Sequence, residues 1–265
     1  MRADRTLIFD THAHYDDERF DSDRAELLAS LPEHGVGLIV NPGCDLDSSR
    51  AAAALAEKYP HVYAAVGWHP ENCAPCRLPE DIDALRELAK HPKVIAIGEI
   101  GLDYHWDENP PKAFQQEVFC RQLALAEELS LPAIVHDRDA HADSLAIVRE
   151  FPSARGVFHC FSGSVEMARE LWKLGWYVGF DGPLTYKNAR RTVEVAAEAP
   201  DDRILIETDA PYLAPAPLRG TRNDSRSLRY VAEKLAELRG TTPERIIELT
   251  MENGKRLFGI CASQY

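Results

Sequence analysis

The sequence has no long hydrophobic run and no excess of positive charge. No segment approaches the roughly 18 consecutive apolar residues of a membrane span, so we expect no contact with a membrane. Lysine and arginine number 30 against 43 aspartate and glutamate residues, a formal net charge of −13. This balance argues against broad electrostatic capture of nucleic acid, although it permits a local cleft lined by metal.

Signals of secretion and of a disulfide framework are also missing. The first residues are charged and lead into a short apolar stretch, which is not the pattern of a signal peptide. The six cysteines are scattered along the chain, so we expect reduced thiols and a cytoplasmic protein. Cys73 and Cys76 invite a redox or zinc interpretation, but no second pair lies nearby, and ordinary loop thiols are favoured.

The sequence does contain a regular alternation of two kinds of segment. Short apolar, β-branched runs predict eight strands, at 6–10, 37–41, 62–67, 94–99, 132–136, 156–160, 176–180 and 204–208. Stretches with helical spacing lie between them, at 49–59, 80–91, 113–129, 142–151 and 164–175. Apolar strands alternating with helices predict a parallel sheet. We therefore expect a closed (β/α)₈ TIM barrel that takes up residues 1–265 as a single domain, with a doubly wound open sheet as the alternative.

A long loop follows the eighth predicted strand. Residues 210–225 are rich in proline, and two helical segments follow at 225–240 and 242–259. Thr242 and Pro243 fit the N-cap and first position of the second helix. Long loops without secondary structure are uncommon in compact domains, so we expect this loop to be functional.

Six potential metal ligands stand at the carboxyl ends of five predicted strands. Two histidines in "FDTHAHYD" (9–16) are two residues apart and should project together from the first strand. The full set is His12, His14, Glu99, His136, His159 and Asp209. All strand carboxyl ends of a barrel open onto one face, where barrel active sites are built. The set therefore predicts a metal site on that face.

The residue types indicate which ions and what chemistry. Four imidazoles and two carboxylates suit zinc, manganese, cobalt or nickel better than an all-oxygen calcium cage. Six ligands are too many for one open tetrahedral ion but suit two ions, with Glu99 as the bridge. Such a pair can activate a water and clamp the oxygens of a phosphoester. Asp209 is the candidate general base.

Seven motifs in this order resemble the TatD family of metal-dependent deoxyribonucleases, a branch of the amidohydrolase-like barrels. They are "DTHAHYD", "GWHP", "IGEIGLDY", "LPAIVHDRDA", "HCFSG", "ETDAPYL" and "RGTRND", and they cover residues 8–258. The resemblance implies metal ligation by the same six residues, catalysis by Asp209 and Glu99, and a requirement for a divalent ion, magnesium included. It also implies a substrate, the phosphodiester bonds of DNA, in single strands or at 3′ ends.

Five further residues are candidate substrate contacts. His69, Arg138 and Ser162 follow the third, fifth and sixth predicted strands and could contact a phosphate. Arg222 and Asn223 lie on the long loop after Asp209. Structural roles are the alternative for each of them.

The sequence departs from the family pattern at two places, and two other functions stay open. Ser225 stands where proline is usual after "RGTRND", and Asp181 stands where serine is frequent. A related amidohydrolase that cleaves a small amide, lactone or phosphoester is one alternative. Glu99 argues against it, because many such enzymes bridge their ions with a carboxylated lysine at this place. A metal-binding barrel without turnover is the other alternative, and the sequence leaves the oligomeric state open.

Overall fold

The computed structural model describes residues 7–261, and its eight strands form one parallel sheet in the order β1 to β8. The strands are β1 (Ile8–Asp10), β2 (Val36–Pro42), β3 (Val62–Val66), β4 (Val94–Asp103), β5 (Ala133–Arg138), β6 (Gly156–Phe158), β7 (Tyr177–Phe180) and β8 (Ile204–Ile206). The α-helices are α1 (Arg24–Ser30), α2 (Leu46–Lys58), α3 (Glu80–Leu88), α4 (Lys112–Leu129), α5 (His141–Glu150), α6 (Val165–Lys173), α7 (Arg190–Glu198), α8 (Leu228–Arg239) and α9 (Pro243–Phe258). Short 3₁₀ turns occur at Glu18–Phe20, Leu31–His34, Gly182–Thr185, Asp201–Arg203, Ala216–Leu218 and Ser225–Ser227.

The sheet closes on itself just beyond the ends of β1 and β8. The Asp209 amide donates to the His12 carbonyl oxygen at 2.9 Å, and the His14 amide donates to the carbonyl oxygen of Ala210 at 2.7 Å. Each strand otherwise pairs with its sequence neighbour, and helices fill the connections. The predicted TIM barrel is confirmed, and the open sheet is excluded.

Two helices and the end of one strand differ most from the sequence-based prediction, and the other predicted elements differ by up to three residues at an end. The segments α1 and α7 were not predicted as helices, because each is short and buries only two side chains. Strand β4 continues past Glu99 to Asp103, and its pairing with β5 changes register between Ile97 and Ile100. Glu99 therefore lies inside an irregular strand, at the kind of bulge that redirects side chains near active sites.

Apolar side chains fill the amino-terminal part of the barrel. Alternate strand residues such as Phe9, Ile134, Val157 and Leu205 form one buried cluster with the end of α9. The Phe9 and Phe258 rings lie 5.8 Å apart, centroid to centroid. A second, larger cluster occupies the layer between strands and helices. This packing closes the amino-terminal end of the barrel. The polar residues of the barrel interior therefore lie at the carboxyl end.

None of the helices within residues 7–261 combines the length and apolar character that a membrane crossing requires.

Candidate metal centre

The first group of predicted ligands surrounds one oxygen of Glu99. Its Oε2 lies 3.3 Å from Nε2 of His12 and 3.5 Å from Nε2 of His14. Asp209 Oδ1 lies 3.6 and 3.5 Å from the same two nitrogens. The two nitrogens are 3.0 Å apart. Four potential ligand atoms from β4 and the ends of β1 and β8 thus enclose one small space.

A second group surrounds the other oxygen of Glu99. Its Oε1 lies 2.7 Å from Nε2 of His159, 3.0 Å from Nδ1 of His136 and 3.3 Å from Nε2 of His69. The two nearest nitrogens, those of His136 and His159, are 3.2 Å apart. His69 was predicted as a substrate contact, yet it lies among the candidate ligands. Its contact with substrate stays a prediction.

The spacing of these atoms fits two divalent ions. Two ligands held about 2.1 Å from a tetrahedral ion lie roughly 3.4 Å from each other. The distances given above for the two groups fall between 2.7 and 3.6 Å. Glu99 presents one oxygen to each group, the arrangement of a carboxylate that bridges two ions. Nitrogen and carboxylate donors in this number suit zinc, manganese, cobalt or nickel.

The protonation of the carboxylates and of His12 suits metal binding. Burial raises the pKa of Glu99, but the nearby His159, His69 and His12 outweigh it and hold the pKa well below its usual value. Desolvation raises the pKa of the partly enclosed Asp209, but hydrogen bonding to His14 outweighs it and keeps the pKa lowered. Burial lowers the pKa of His12 to about 4, so its ring is neutral at pH 7. Ionised carboxylates and a neutral imidazole are the forms that ligate.

Asp103, which sequence reasoning missed, orients His136. Its Oδ2 lies 2.9 Å from His136 Nε2, which leaves Nδ1 to face Glu99. Gly101 makes this approach of β4 to β5 possible, because its φ is +137° and a Cβ there would lie 2.0 Å from the His136 carbonyl oxygen. The sequence did offer one signal: Asp103 follows Gly101 by two residues, so both lie on the same side of an extended strand.

A buried network beneath the first group holds the ends of β1 and β8 together. Asp10 Oδ2 accepts hydrogen bonds at 2.6 Å from the hydroxyls of Thr208 and Ser225, and its Oδ1 accepts from the Thr208 amide at 3.0 Å. The Ser225 hydroxyl also lies 2.7 Å from that of Tyr15. Ser225 therefore gives this chain a hydroxyl that ties the loop after β8 to β1.

Two further carboxylates are buried on the β7–β8 side. Glu207 Oε1 accepts from the Cys160 amide at 2.5 Å and Oε2 from the Thr11 hydroxyl at 3.2 Å. Gly179 leaves the space for it, since a Cβ there would lie 2.3 Å from Oε1. Burial raises the pKa of Asp181 to about 8, and its Oδ2 has no hydrogen-bond partner among the described residues. We expect both groups to be protonated at neutral pH in the metal-free chain, because the pKa of Glu207 is also raised well above its usual value by burial.

Cys44 lies beside the first group and was also missed. Its sulfur is 3.9 Å from His14 Nδ1, and it forms with His14 and Glu99 a third set of atoms within 4.8 Å of one another. Burial raises the pKa of the thiol to about 11. The six cysteines are all free thiols.

Arg138 and Ser162, two predicted substrate contacts, stand at the surface of the carboxyl end. The Arg138 guanidinium lies over the Trp106 ring, 5.2 Å from its centroid. Ser162 is exposed in the turn between β6 and α6. Both positions are accessible, and their contact with substrate stays a prediction.

The other two predicted contacts are engaged within the protein. Arg222 forms a double ion pair with Asp23, at 2.6 and 2.7 Å. Asn223 is 2% exposed, donates to the Thr208 carbonyl oxygen at 3.0 Å and accepts from the Ser227 hydroxyl at 2.6 Å. These bonds anchor the loop after β8. The contact of Arg222 and Asn223 with substrate stays a prediction.

A protein-family comparison matches nearly the whole described chain. The family model described as "TatD related DNase" matches residues 9–259. This range contains both ligand groups and the loop after β8.

Individual relatives and solved structures cover comparable lengths. The chain is 47% identical over 256 residues to the uncharacterized metal-dependent hydrolase YabD of Bacillus subtilis, covering 96% of this chain and 100% of that protein. It is 37% identical over 262 residues to the 3′-5′ ssDNA/RNA exonuclease TatD of Cronobacter sakazakii, covering 95% and 97%. The crystal structure of YJJV, a TatD homologue from Escherichia coli, superposes with a TM-score of 0.90 at 32% identity, covering 97% of this chain and 99% of that one.

Proposed function

Because the chain belongs to the family of TatD-related DNases and is a metal-dependent hydrolase of that family, we propose that it is a deoxyribonuclease that shortens single-stranded DNA from its 3′ end. The observation that carries the proposal is the position of Glu99 between two sets of nitrogen ligands. One oxygen faces His12 and His14, and the other faces His136 and His159. Relatives named 3′-5′ ssDNA/RNA exonucleases support the choice of substrate and direction.

The residues that would hold the ions divide between the two sets. His12, His14 and Asp209 would hold one ion, His136 and His159 the other, and Glu99 both. When bound, a pair of divalent ions lowers the pKa of a water and neutralises charge on a phosphodiester.

The protein's own groups then have two tasks at the scissile bond. Asp209, which is ionised and partly open to solvent, accepts the proton of the attacking water. The backbone of Asp209 adopts the left-handed conformation, with φ of 53°, and its amide donates a hydrogen bond to the His12 carbonyl oxygen. These two features hold the carboxylate in place. We assign His69, which lies 3.3 Å from Glu99 Oε1, and Arg138, which is exposed at the end of β5, to the phosphate and leaving-group side.

The experiment that tests the proposal compares the ends of one labelled oligonucleotide. Single-stranded DNA labelled at the 3′ or 5′ end is incubated with chelator-stripped protein, with magnesium, manganese or zinc added back. We expect metal-dependent loss of the 3′ label first and a ladder of shortened products from the 5′-labelled strand. Glu99→Ala should show neither, and Glu117→Gln, an exposed substitution on α4, should behave as wild type.

Two outcomes would refute the nuclease. Metal-loaded protein that leaves DNA intact but cleaves a small amide, lactone or phosphotriester would be an amidohydrolase of another specificity. Protein that binds metal at both groups and hydrolyses no ester or amide would be a binding barrel without turnover.

A further inference from the structure

Two exposed aromatic side chains lie on the catalytic face of the barrel. Among the described residues the exposed large hydrophobic side chains are Leu7, Trp106, Leu174 and Tyr212. Trp106 follows β4, and Tyr212 follows β8 by way of Asp209. Strands four apart in an eight-stranded barrel are on opposite sides of its axis. The segments that carry the two aromatic residues therefore leave the barrel on opposite sides of its axis.

Tyr212 stands next to the first ligand group. Its ring meets the His14 ring edge-on with centroids 6.4 Å apart, and it is 45% exposed. The Arg19 guanidinium lies 4.0 Å from the ring centroid, and the hydroxyl donates to Asp17 at 3.0 Å. These contacts fix the plane of the ring while leaving nearly half of the residue open.

Trp106 is arranged in the same way across the opening. It is also 45% exposed, and it packs edge-on against the His105 ring at 4.5 Å. The Arg138 guanidinium lies 5.2 Å from its ring centroid. His105 is in turn held to Asp139 by a 2.8 Å hydrogen bond. Each aromatic residue thus combines an open apolar surface with an adjacent arginine and a fixed orientation.

We propose that Trp106 and Tyr212 are stacking platforms that receive the nucleobases on either side of the phosphodiester at the metal centre, so that the site takes single-stranded DNA. The proposal rests on the proposed nuclease function and names how that site holds its substrate. An aromatic face stacks on any base, and an adjacent arginine adds cation–π attraction. Stacking accordingly binds without sequence preference.

The same geometry discriminates against duplex DNA. In a duplex each base is already stacked between its neighbours and paired, so occupying two platforms requires unpairing and unstacking. A chain of net charge −13 also has little to gain from wide contact with phosphates. Stacking of bases on the two aromatic rings supplies binding affinity that does not depend on attraction between the protein and the phosphates.

The test measures binding of a thymidine octanucleotide in manganese, in an Asp209→Asn background that preserves the oligonucleotide. We expect Trp106→Ala and Tyr212→Ala each to weaken binding between about fivefold and about 150-fold, the loss of one stacked base. Trp106→Phe and Tyr212→Phe, which keep a ring, should stay within a few-fold. Leu174→Ala, which removes an exposed apolar residue between α6 and β7, is the matched control.

Abasic oligonucleotides and fluorescence provide independent readouts. In the same Asp209→Asn background, removing the base at the affected position should weaken binding as much as the alanine substitution does, and the two changes together should weaken it no more than either alone. Of the four tryptophans Trp106 is the exposed one, so its fluorescence should be quenched by the oligonucleotide and this quenching lost in Trp106→Phe.

The failure of each proposal has its own signature. Alanine variants that bind and cleave single-stranded DNA as the unmodified protein does would overturn the stacking platforms and leave the nuclease intact. Equal affinity for a blunt duplex would also contradict the platforms. Metal-loaded protein with unmodified platforms that neither binds nor cleaves single-stranded DNA would overturn the nuclease itself.

Discussion

Asp103 Oδ2 and His136 Nε2 lie 2.9 Å apart, and this contact decides which ring nitrogen of His136 faces Glu99. Nε2 is occupied by the carboxylate, so Nδ1 is the nitrogen available to a metal. A carboxylate behind a ligating histidine fixes the ring and increases its basicity. The carboxylate and the ligand come from neighbouring strands, whose paired residues include Gly101 with His136 and Asp103 with Arg138.

Asp103→Ala should weaken metal binding at the second group. We expect the affinity for one of the two ions to fall about 10- to 100-fold, because His136 loses its orienting partner. Competition with a coloured chelator measures the affinity for each ion, and Glu117→Gln serves as the control. Equal weakening of both ions would mean that Asp103 supports the whole fold and not one ligand.

Asp209→Asn should impair turnover more than substrate binding. The amide keeps an oxygen toward His12 and His14 but accepts no proton, so kcat should fall about 10²- to 10⁴-fold while KM changes little. Steady-state kinetics on single-stranded DNA, with metal content measured on the same samples, separates the two effects. A loss of bound metal equal to the loss of kcat would assign Asp209 to ligation alone.

Ser225→Ala should destabilise the protein. The substitution removes the buried 2.6 Å hydrogen bond to Asp10, at a cost of about 1–3 kcal/mol. For a barrel of this size that cost corresponds to a decrease in Tm of about 2–10 °C. Calorimetry measures the decrease, and Ser153→Ala, at an exposed position, is the control. An unchanged Tm would show that Thr208 alone satisfies Asp10.

Metal binding should raise thermal stability. An ion present at about 100 times its dissociation constant stabilises the folded state by about 2.7 kcal/mol, which is about 5–10 °C in Tm. We expect chelator-treated protein to melt lower and to recover when manganese or zinc returns. Glu99→Ala should respond weakly, since both groups lose a ligand. A full response in that variant would place the stabilising ion elsewhere.

Binding of single-stranded DNA should depend weakly on salt. A chain of net charge −13 that engages one strand end near its metal centre neutralises few phosphates. The slope of log affinity against log salt should therefore be smaller in magnitude than about 2, the value for about three contacts on a single strand. Fluorescence titration with the oligonucleotide at several salt concentrations measures this slope. A much steeper slope would mean that many basic side chains contact phosphates, which contradicts the prediction.

The barrel and the two ligand groups could be anticipated because their signals are local. His12 and His14 share a side of one extended segment, and His136, His159 and Asp209 each follow a short apolar run. The alternation of strands and helices then brings their positions to one face. Residue types and the predicted strand ends are therefore enough to predict that these residues lie on one face of the barrel.

The parts that could not be anticipated depend on register and on distant contacts. Ser225 and Asp10 are 215 residues apart in sequence, and no local pattern pairs them. The position of Cys44 near His14 depends on how the loop after β2 folds back. The irregular pairing that lets β4 continue to Asp103 is likewise a property of two strands together. Side-chain packing in three dimensions decides all of these.

The hydrogen bond from the Asp209 amide to the His12 carbonyl oxygen joins the first strand to the last. Translation produces β1 first and β8 last, so most of the candidate ligands are synthesised well before Asp209. The first group is incomplete until the residues after β8 have been translated. Any nascent chain that stops earlier lacks Asp209. The order of synthesis thus delays assembly of the candidate metal centre until the barrel can close around it.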